Sequence, residues 1–251
     1  MEDIGGVWRT IGGRRIFIKD GEDLETAMKK SGKFKKNENY NDDNFKFLPE
    51  DEDEKYDKYV EMSEECYDKL DRKDIEQIET KYIGTEESYD FNEALRMDAN
   101  VDEELKNAMD KACTTYTAKE DMASTRSVDF DYLRNAYGLE IERYGDIDRS
   151  KVAEQMKKFI GSEISSKSYT SVSLNESGNG MFGNLAVEQK INMPKGTKMF
   201  VADNVTEYEA ILGRNQRMVL KKVAFKESKI AGFEKEYGKV VLTYEVINNE
   251  E

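Results

Sequence analysis

The 251-residue chain contains no histidine, and that absence removes more chemistry than any other feature of its composition. Without an imidazole there is no Ser–His–Asp triad, no histidine general base and no histidine-containing zinc site. The chain has two cysteines, Cys66 and Cys113, too few for a cysteine-only zinc site or a disulfide framework, and they suit a reducing compartment. No metal is expected. Positive charge is also scarce: 39 Lys and Arg stand against 53 Asp and Glu, a net charge of −14. A surface of that sign repels phosphate backbones, so nucleic acid is not an expected partner. No run of about 18 apolar residues offers a membrane span, and the first residues lack the apolar stretch of a signal peptide. What remains suits a folded protein: hydrophobic residues make up 37% and aromatics 10%, enough to build a core.

The opening reads as two short strands, Val7–Ile11 and Arg15–Ile18, around the paired glycines Gly12 and Gly13, which supply the positive φ of a tight turn. A short helix is expected over Asp23–Lys30, stopped at Ser31-Gly32. Residues 35–55 lose apolar content and end in five consecutive acids, Glu50 to Glu54, a linker pattern that a solvated acidic loop would share. The expected division is therefore an N-terminal segment, 1–55, and a main domain, 56–251. Apolar residues at helical spacing follow over 56–119, including Val60, Cys66, Tyr67, Leu70, Ile75, Ile78, Leu105, Ala108, Met109 and Ala112. From residue 120 to 250 strand signals dominate, with one helical interruption at Ser150–Ile160. Strands are expected at Ala123–Phe130, Ser168–Leu174, Leu185–Met193, Lys198–Ala202, Ala210–Leu212, Met218–Lys226 and Lys239–Ile247. Helices followed by strands make an α+β protein.

Three clusters could carry chemistry. Thr125-Arg126-Ser127 puts an arginine in a strand-like run. Tyr169-Thr170-Ser171-Val172-Ser173-Leu174 alternates, so Ser171 and Ser173 share one face. Glu207-Tyr208-Glu209 precedes an apolar strand, and its two carboxylates point the same way if the segment is extended. Each alone reads as ordinary strand or surface chemistry.

In this order, the arginine, the aromatic–x–Ser–x–Ser strand and the Glu–x–Glu pair resemble the mono-ADP-ribosyltransferases of the Arg–Ser–Glu class, found in binary toxins and vegetative insecticidal proteins. Lys81-Tyr82-Ile83-Gly84, Ser88 to Arg96, Leu105 to Ala112, Ile160-Gly161 and Met193-Pro194-Lys195-Gly196-Thr197 are similar to that family's flanking segments. The resemblance covers roughly residues 56–250. It implies an N-terminal helical part packed on a mixed, mostly antiparallel two-sheet β core. It also implies NAD as substrate and a protein acceptor, with Glu209 and Ser171 catalytic and Ser173 and Arg126 contacting NAD. Phe182 would lie beside the nicotinamide, and Glu207 would select arginine as acceptor. Arg134, eight residues on, competes with Arg126 for the phosphate-binding role. The family's further arginine after the serine strand has no counterpart between Leu174 and Pro194. An NAD glycohydrolase, or a phage structural protein with a degenerate transferase fold, are the alternatives.

Residues 6–18 with Gly21 and Ser31–Phe34 resemble a short segment of phage minor head proteins. That implies association with a phage head and action in a bacterial host cytoplasm or delivery with the virion.

Overall fold

The computed structural model describes residues 6–11, 14–23, 26–27, 30, 40–143, 147–177, 185–227 and 238–248. The expected Gly12-Gly13 turn, most of the Asp23–Lys30 helix with its Ser31-Gly32 stop, and Phe182 lie outside these residues.

β1 (Gly6–Ile11) and β2 (Arg14–Lys19) pair antiparallel, with Val7 opposite Ile18 and Trp8 opposite Phe17. Four helices follow: α1 (Glu52–Tyr67), α2 (Arg72–Lys81), α3 (Glu87–Arg96) and α4 (Glu103–Ala112). Three have an aspartate at the start, and Asp51, Asp71 and Asp102 each accept a bond from a backbone N–H of the first turn. Helix α4 buries Leu105, Ala108, Met109 and Ala112, the stripe its spacing predicts. In α1 the buried face is instead Lys55, Tyr59, Met62, Ser63 and Cys66, and Val60 lies at its margin.

The remaining strands are β3 (Tyr116–Thr117), β4 (Met122–Val128), β5 (Glu163–Ser165), β6 (Thr170–Ser173), β7 (Val187–Met193), β8 (Lys198–Val201), β9 (Glu209–Leu212), β10 (Arg217–Lys226) and β11 (Lys239–Ile247). Between them lie α5 (Phe130–Tyr137) and α6 (Arg149–Lys157). β4 stops two residues short of the expected Phe130 because Asp129 accepts from the N–H groups of Asp131 and Tyr132 and starts α5. Gly138, at φ 64°, ends that helix in the left-handed region.

These nine strands are joined in the order β3-β8-β9-β6-β4-β7-β11-β10-β5. Every pairing is antiparallel except β7 with β11. The sheet has two halves that meet at one pair, Thr125 of β4 opposite Ser173 of β6. Helix α1 packs on β8 and β3 in one half, and α6 covers β10 and β11 in the other. One apolar core runs through both halves.

Part of the acidic stretch before α1 lies across the seam. The Ala123 N–H donates to the Lys46 carbonyl at 2.8 Å, and the Leu48 N–H to the Leu174 carbonyl at 3.1 Å. Asp42 pairs with Lys190 at 3.0 Å, and Asn192 donates to the Tyr40 hydroxyl at 2.8 Å.

Leu174, 0% exposed, sits where the strap formed by residues 40–48, β6 and the loop before β9 converge. Leu174→Ala should destabilise the fold by about 2–5 kcal/mol in chemical denaturation, since it leaves a cavity that three elements cannot close together.

Candidate active site

The backbone of β6 determines what its serines can reach. The Leu174 N–H bonds the Tyr208 carbonyl at 2.9 Å, toward β9. Alternation along a strand then turns the Ser171 carbonyl the other way, toward β4. No ladder joins β4 and β6 there, and the Arg126 guanidinium takes that carbonyl, Nη1 to oxygen 3.4 Å. The bond is at the long end of the useful range. It nevertheless places a fixed cation at the edge of the seam.

The Ser171 side chain faces β9. Ser173 is opposite Glu209 in the register and Ser171 opposite Ile211, so all four side chains share a face. The Ser171 hydroxyl donates to Oε1 of Glu209, and Asn204 Nδ2 donates to Oε2 at 3.3 Å. Each oxygen of this half-buried carboxylate thus has a neutral donor. Burial raises the Glu209 carboxyl above the ordinary value of 4.5, and the neighbouring Glu207 charge adds to the rise. The Ser171 and Asn204 bonds and the Arg126 charge pull it back without cancelling it. Arg126 is pushed down from its own usual value by burial, with the Arg96 charge acting in the same direction. A guanidinium remains protonated through such a change. Arg96, at the end of α3, donates to the Ser168 hydroxyl at 3.2 Å and forms a second cation on this side.

Ser173, nearly fully buried, points its hydroxyl at the loop and donates to the Glu207 carbonyl at 2.7 Å. Glu207 does not continue β9: the segment turns at Tyr208, whose φ is 48°. The extended Glu–x–Glu geometry is therefore absent: a left-handed turn separates the two glutamates, and the Glu207 charge still acts on Glu209. Arg134, the competing arginine, is engaged elsewhere. It donates to the Ile141 and Glu142 carbonyls at 2.9 and 2.7 Å and pairs with Asp131 at 2.5 Å. Arg126, Ser171, Ser173, Glu207 and Glu209 come together; Arg134 does not join them.

Sequence reasoning missed Asn204 and Tyr59. Asn204 follows β8 in an unremarkable Asp-Asn turn, and its role depends on the return path of the loop. Tyr59 lies on α1 at a helical core spacing, yet its hydroxyl reaches the loop that carries Glu207. Among the described residues no group of three or more His, Cys, Asp or Glu is gathered for a metal, and no helix is long and apolar enough to cross a membrane.

A carboxylate held by a serine, an arginine on the adjoining strand and a second carboxylate on the preceding turn form a set suited to a cationic glycosidic centre next to phosphates. Residues 54–249 match the family model of the ADP-ribosyltransferase exoenzymes. The fold is similar to that of the Clostridium limosum C3 exoenzyme, with 20% identity and a TM-score of 0.63 over 82% of this chain and 98% of that one. It is similar to Plx2a, an ADP-ribosyltransferase toxin of Paenibacillus larvae, at 15% identity and TM-score 0.63 over 78% and 96% of the two chains. The enzymatic component of the Clostridium botulinum C2 toxin matches at 20% identity and TM-score 0.61 over 76% of this chain, which spans 46% of that one. No curated protein matches the chain in sequence. The match over most of its length makes this chain a member of the ADP-ribosyltransferase exoenzyme family, whose substrate is NAD.

Proposed function

We propose that this enzyme transfers a single ADP-ribose from NAD to an arginine of a protein. The observation that carries the reading is the Ser171–Glu209 bond at the seam, with Arg126 on the carbonyl of the same serine. NAD supplies a ribose whose bond to nicotinamide already has a cationic leaving group. As that bond breaks, its electron pair leaves with nicotinamide and positive charge grows on the ribose. Glu209 stabilises this charge more in the transition state than in the bound substrate, and Ser171 and Asn204 hold its two oxygens in place. Arg126, with Arg96 beside it, offers the fixed donors that pyrophosphate oxygens accept. The Arg96 contribution offsets the missing arginine after β6.

Glu207 is the acceptor residue in this scheme. A protonated guanidinium is a poor nucleophile. The Glu207 carboxylate aligns it and takes the proton released as its nitrogen forms the new bond to the ribose carbon. Ser173, bonded to the Glu207 backbone, sets where that carboxylate is presented. The products are nicotinamide, ADP-ribosylated arginine and one proton. The identity of the target protein lies in surfaces beyond this site. Association with a phage head rests on the resemblance of residues 6–34, and co-sedimentation with capsids is its measurement.

Nicotinamide release from NAD, followed with and without agmatine as an arginine mimic, tests the reading. Glu209→Gln should lower release by about 10²–10³-fold under both conditions, the cost of losing one preorganised charge. Glu207→Gln should retain basal hydrolysis and lose agmatine-dependent transfer by about 10²-fold or more. Agmatine transfer that survives Glu207→Gln would refute the acceptor assignment, and hydrolysis unaffected by any acceptor would make the protein an NAD glycohydrolase.

The pH profile gives a further check. Glu209 must be ionised to act, and its carboxyl is raised by burial, so activity should fall away in acid at a higher pH than an exposed glutamate would impose. Asn204→Ala removes a bond that stabilises the ionised form and should move this acid limb upward. A limb that moves downward would contradict the electrostatic account.

A further inference from the structure

The hairpin loop between β8 and β9, residues 202–208, carries Glu207 and leads into Glu209, and its neck is closed from outside the sheet. The hydroxyl of Tyr59 on α1 lies 2.5 Å from the Ala202 carbonyl, 3.0 Å from the Glu209 carbonyl and 3.3 Å from that of Asn204. These carbonyls come from the first residue of the loop, the first residue of β9 and the third residue of the loop. Beyond the neck bond from the Ala202 N–H to the Glu209 carbonyl, 3.1 Å, the loop has one further backbone bond of its own, Glu207 N–H to Asn204 carbonyl at 3.2 Å.

Tyr59 is 0% exposed, so water has little access to replace its hydroxyl. Burial also holds the phenol well above its usual value, which keeps it a donor at any working pH. Its ring meets that of Tyr208 edge-on, centroids 5.2 Å apart, at the one residue between the two glutamates. Lys55, one turn earlier on α1, stands over the Tyr208 ring, 5.6 Å from its centre. Two more α1 groups bond the same hairpin: Cys66 Sγ accepts from the Val201 N–H and the Tyr67 hydroxyl from the Asp203 N–H, both at 3.3 Å. Helix α1 thus lies along β8 and the loop as a splint, with the Tyr59 proton at the point where three carbonyl dipoles converge.

We infer that Tyr59 is a positioning residue that fixes Glu207 relative to Glu209, and so sets how much cleaved NAD is transferred to arginine rather than lost to water. The inference rests on the transferase reading above. Its selectivity follows from how the two carboxylates are held. Ser171 of β6 holds the Glu209 carboxylate itself, whereas Ser173 of β6 holds the Glu207 main-chain carbonyl, so the Glu207 side chain is presented by the loop whose neck Tyr59 closes. Without the hydroxyl the converging carbonyls repel, and the loop loses its register before the anchored carboxylate does.

The variant is Tyr59→Phe, which keeps the ring against Tyr208. Tyr137→Phe is the control: it also removes a buried hydroxyl bond, to Tyr244 of β11 at 2.8 Å, in the other half of the sheet from the loop. Tyr59→Phe should reduce agmatine-dependent transfer about tenfold while basal hydrolysis changes less than about threefold, as a displaced reacting group would. KM for NAD should stay the same. Amide hydrogen exchange over 203–208 should quicken in this variant alone. Tyr137→Phe should lose a comparable amount of thermal stability with its transfer-to-hydrolysis ratio intact. Equal loss of both reactions, or unchanged exchange in the loop, overturns the role of Tyr59. A parent protein that releases no nicotinamide fails the transferase reading instead, and the exchange comparison still decides whether Tyr59 holds the loop.

Discussion

A sheet whose two halves share one residue pair cannot satisfy its backbone at the seam by ladder bonds alone. Thr125 opposite Ser173 is that pair, and on either side of it the groups of β4 and β6 need other partners. On one side the Thr125 hydroxyl bonds the Asn175 carbonyl at 3.2 Å, and on the other the Arg126 guanidinium takes the Ser171 carbonyl. The cation is therefore at the site partly because the sheet is incomplete there. Ser171 has a double role: its carbonyl holds the arginine of one half and its hydroxyl holds the glutamate of the other. The chemistry is located where the architecture has a break, and side chains there do what a continuous ladder would otherwise do.

Much of this arrangement is legible in the sequence, for physical reasons that also explain what is not. The long strands β7, β10 and β11 and the helix α4 announce themselves because burial of one face imposes a period over many residues. The two- and three-residue strands β3 and β5 have too few residues to show any period, and only their partners define them. Helix α5 begins where the strand-like run of β4 ends, and the Asp129 cap that separates them is a single side chain within an unbroken pattern. For the site, the order of Arg126, Ser171 and Glu209 could be read as a motif. The turn at Tyr208 could not, since a tyrosine in the left-handed region is rare and nothing in its neighbours requires it. Asn204 and Tyr59 act through distances set by tertiary packing, and neither spacing nor composition carries that information.

The electrostatics of the site run against the stability of the fold. Glu209 binds its proton more tightly in the folded chain than in the unfolded one, so its contribution to stability is complete below the unfolded value and is lost as pH rises through the folded one. At neutral pH the fold therefore carries a carboxylate that it would prefer to protonate. Desolvation has the same cause as the function, because a carboxylate stripped of water acts more strongly on a developing positive charge. The fold tolerates this because both oxygens are bonded and a guanidinium is close.

The strap formed by residues 40–48 has a consequence for how the chain can be divided. It crosses from Lys222 and Lys190 to β4 and β6, and its backbone supplies the Ala123 N–H with an acceptor and the Leu174 carbonyl with a donor. A fragment beginning at Tyr56 would lose the first turn of α1 with its buried Lys55, and it would leave those two groups without their partners beside the Thr125–Ser173 pair. Two strand edges that are now covered would then be open to pairing with another chain. Where this fold can be cut is consequently limited by backbone hydrogen bonding as well as by the ends of its helices.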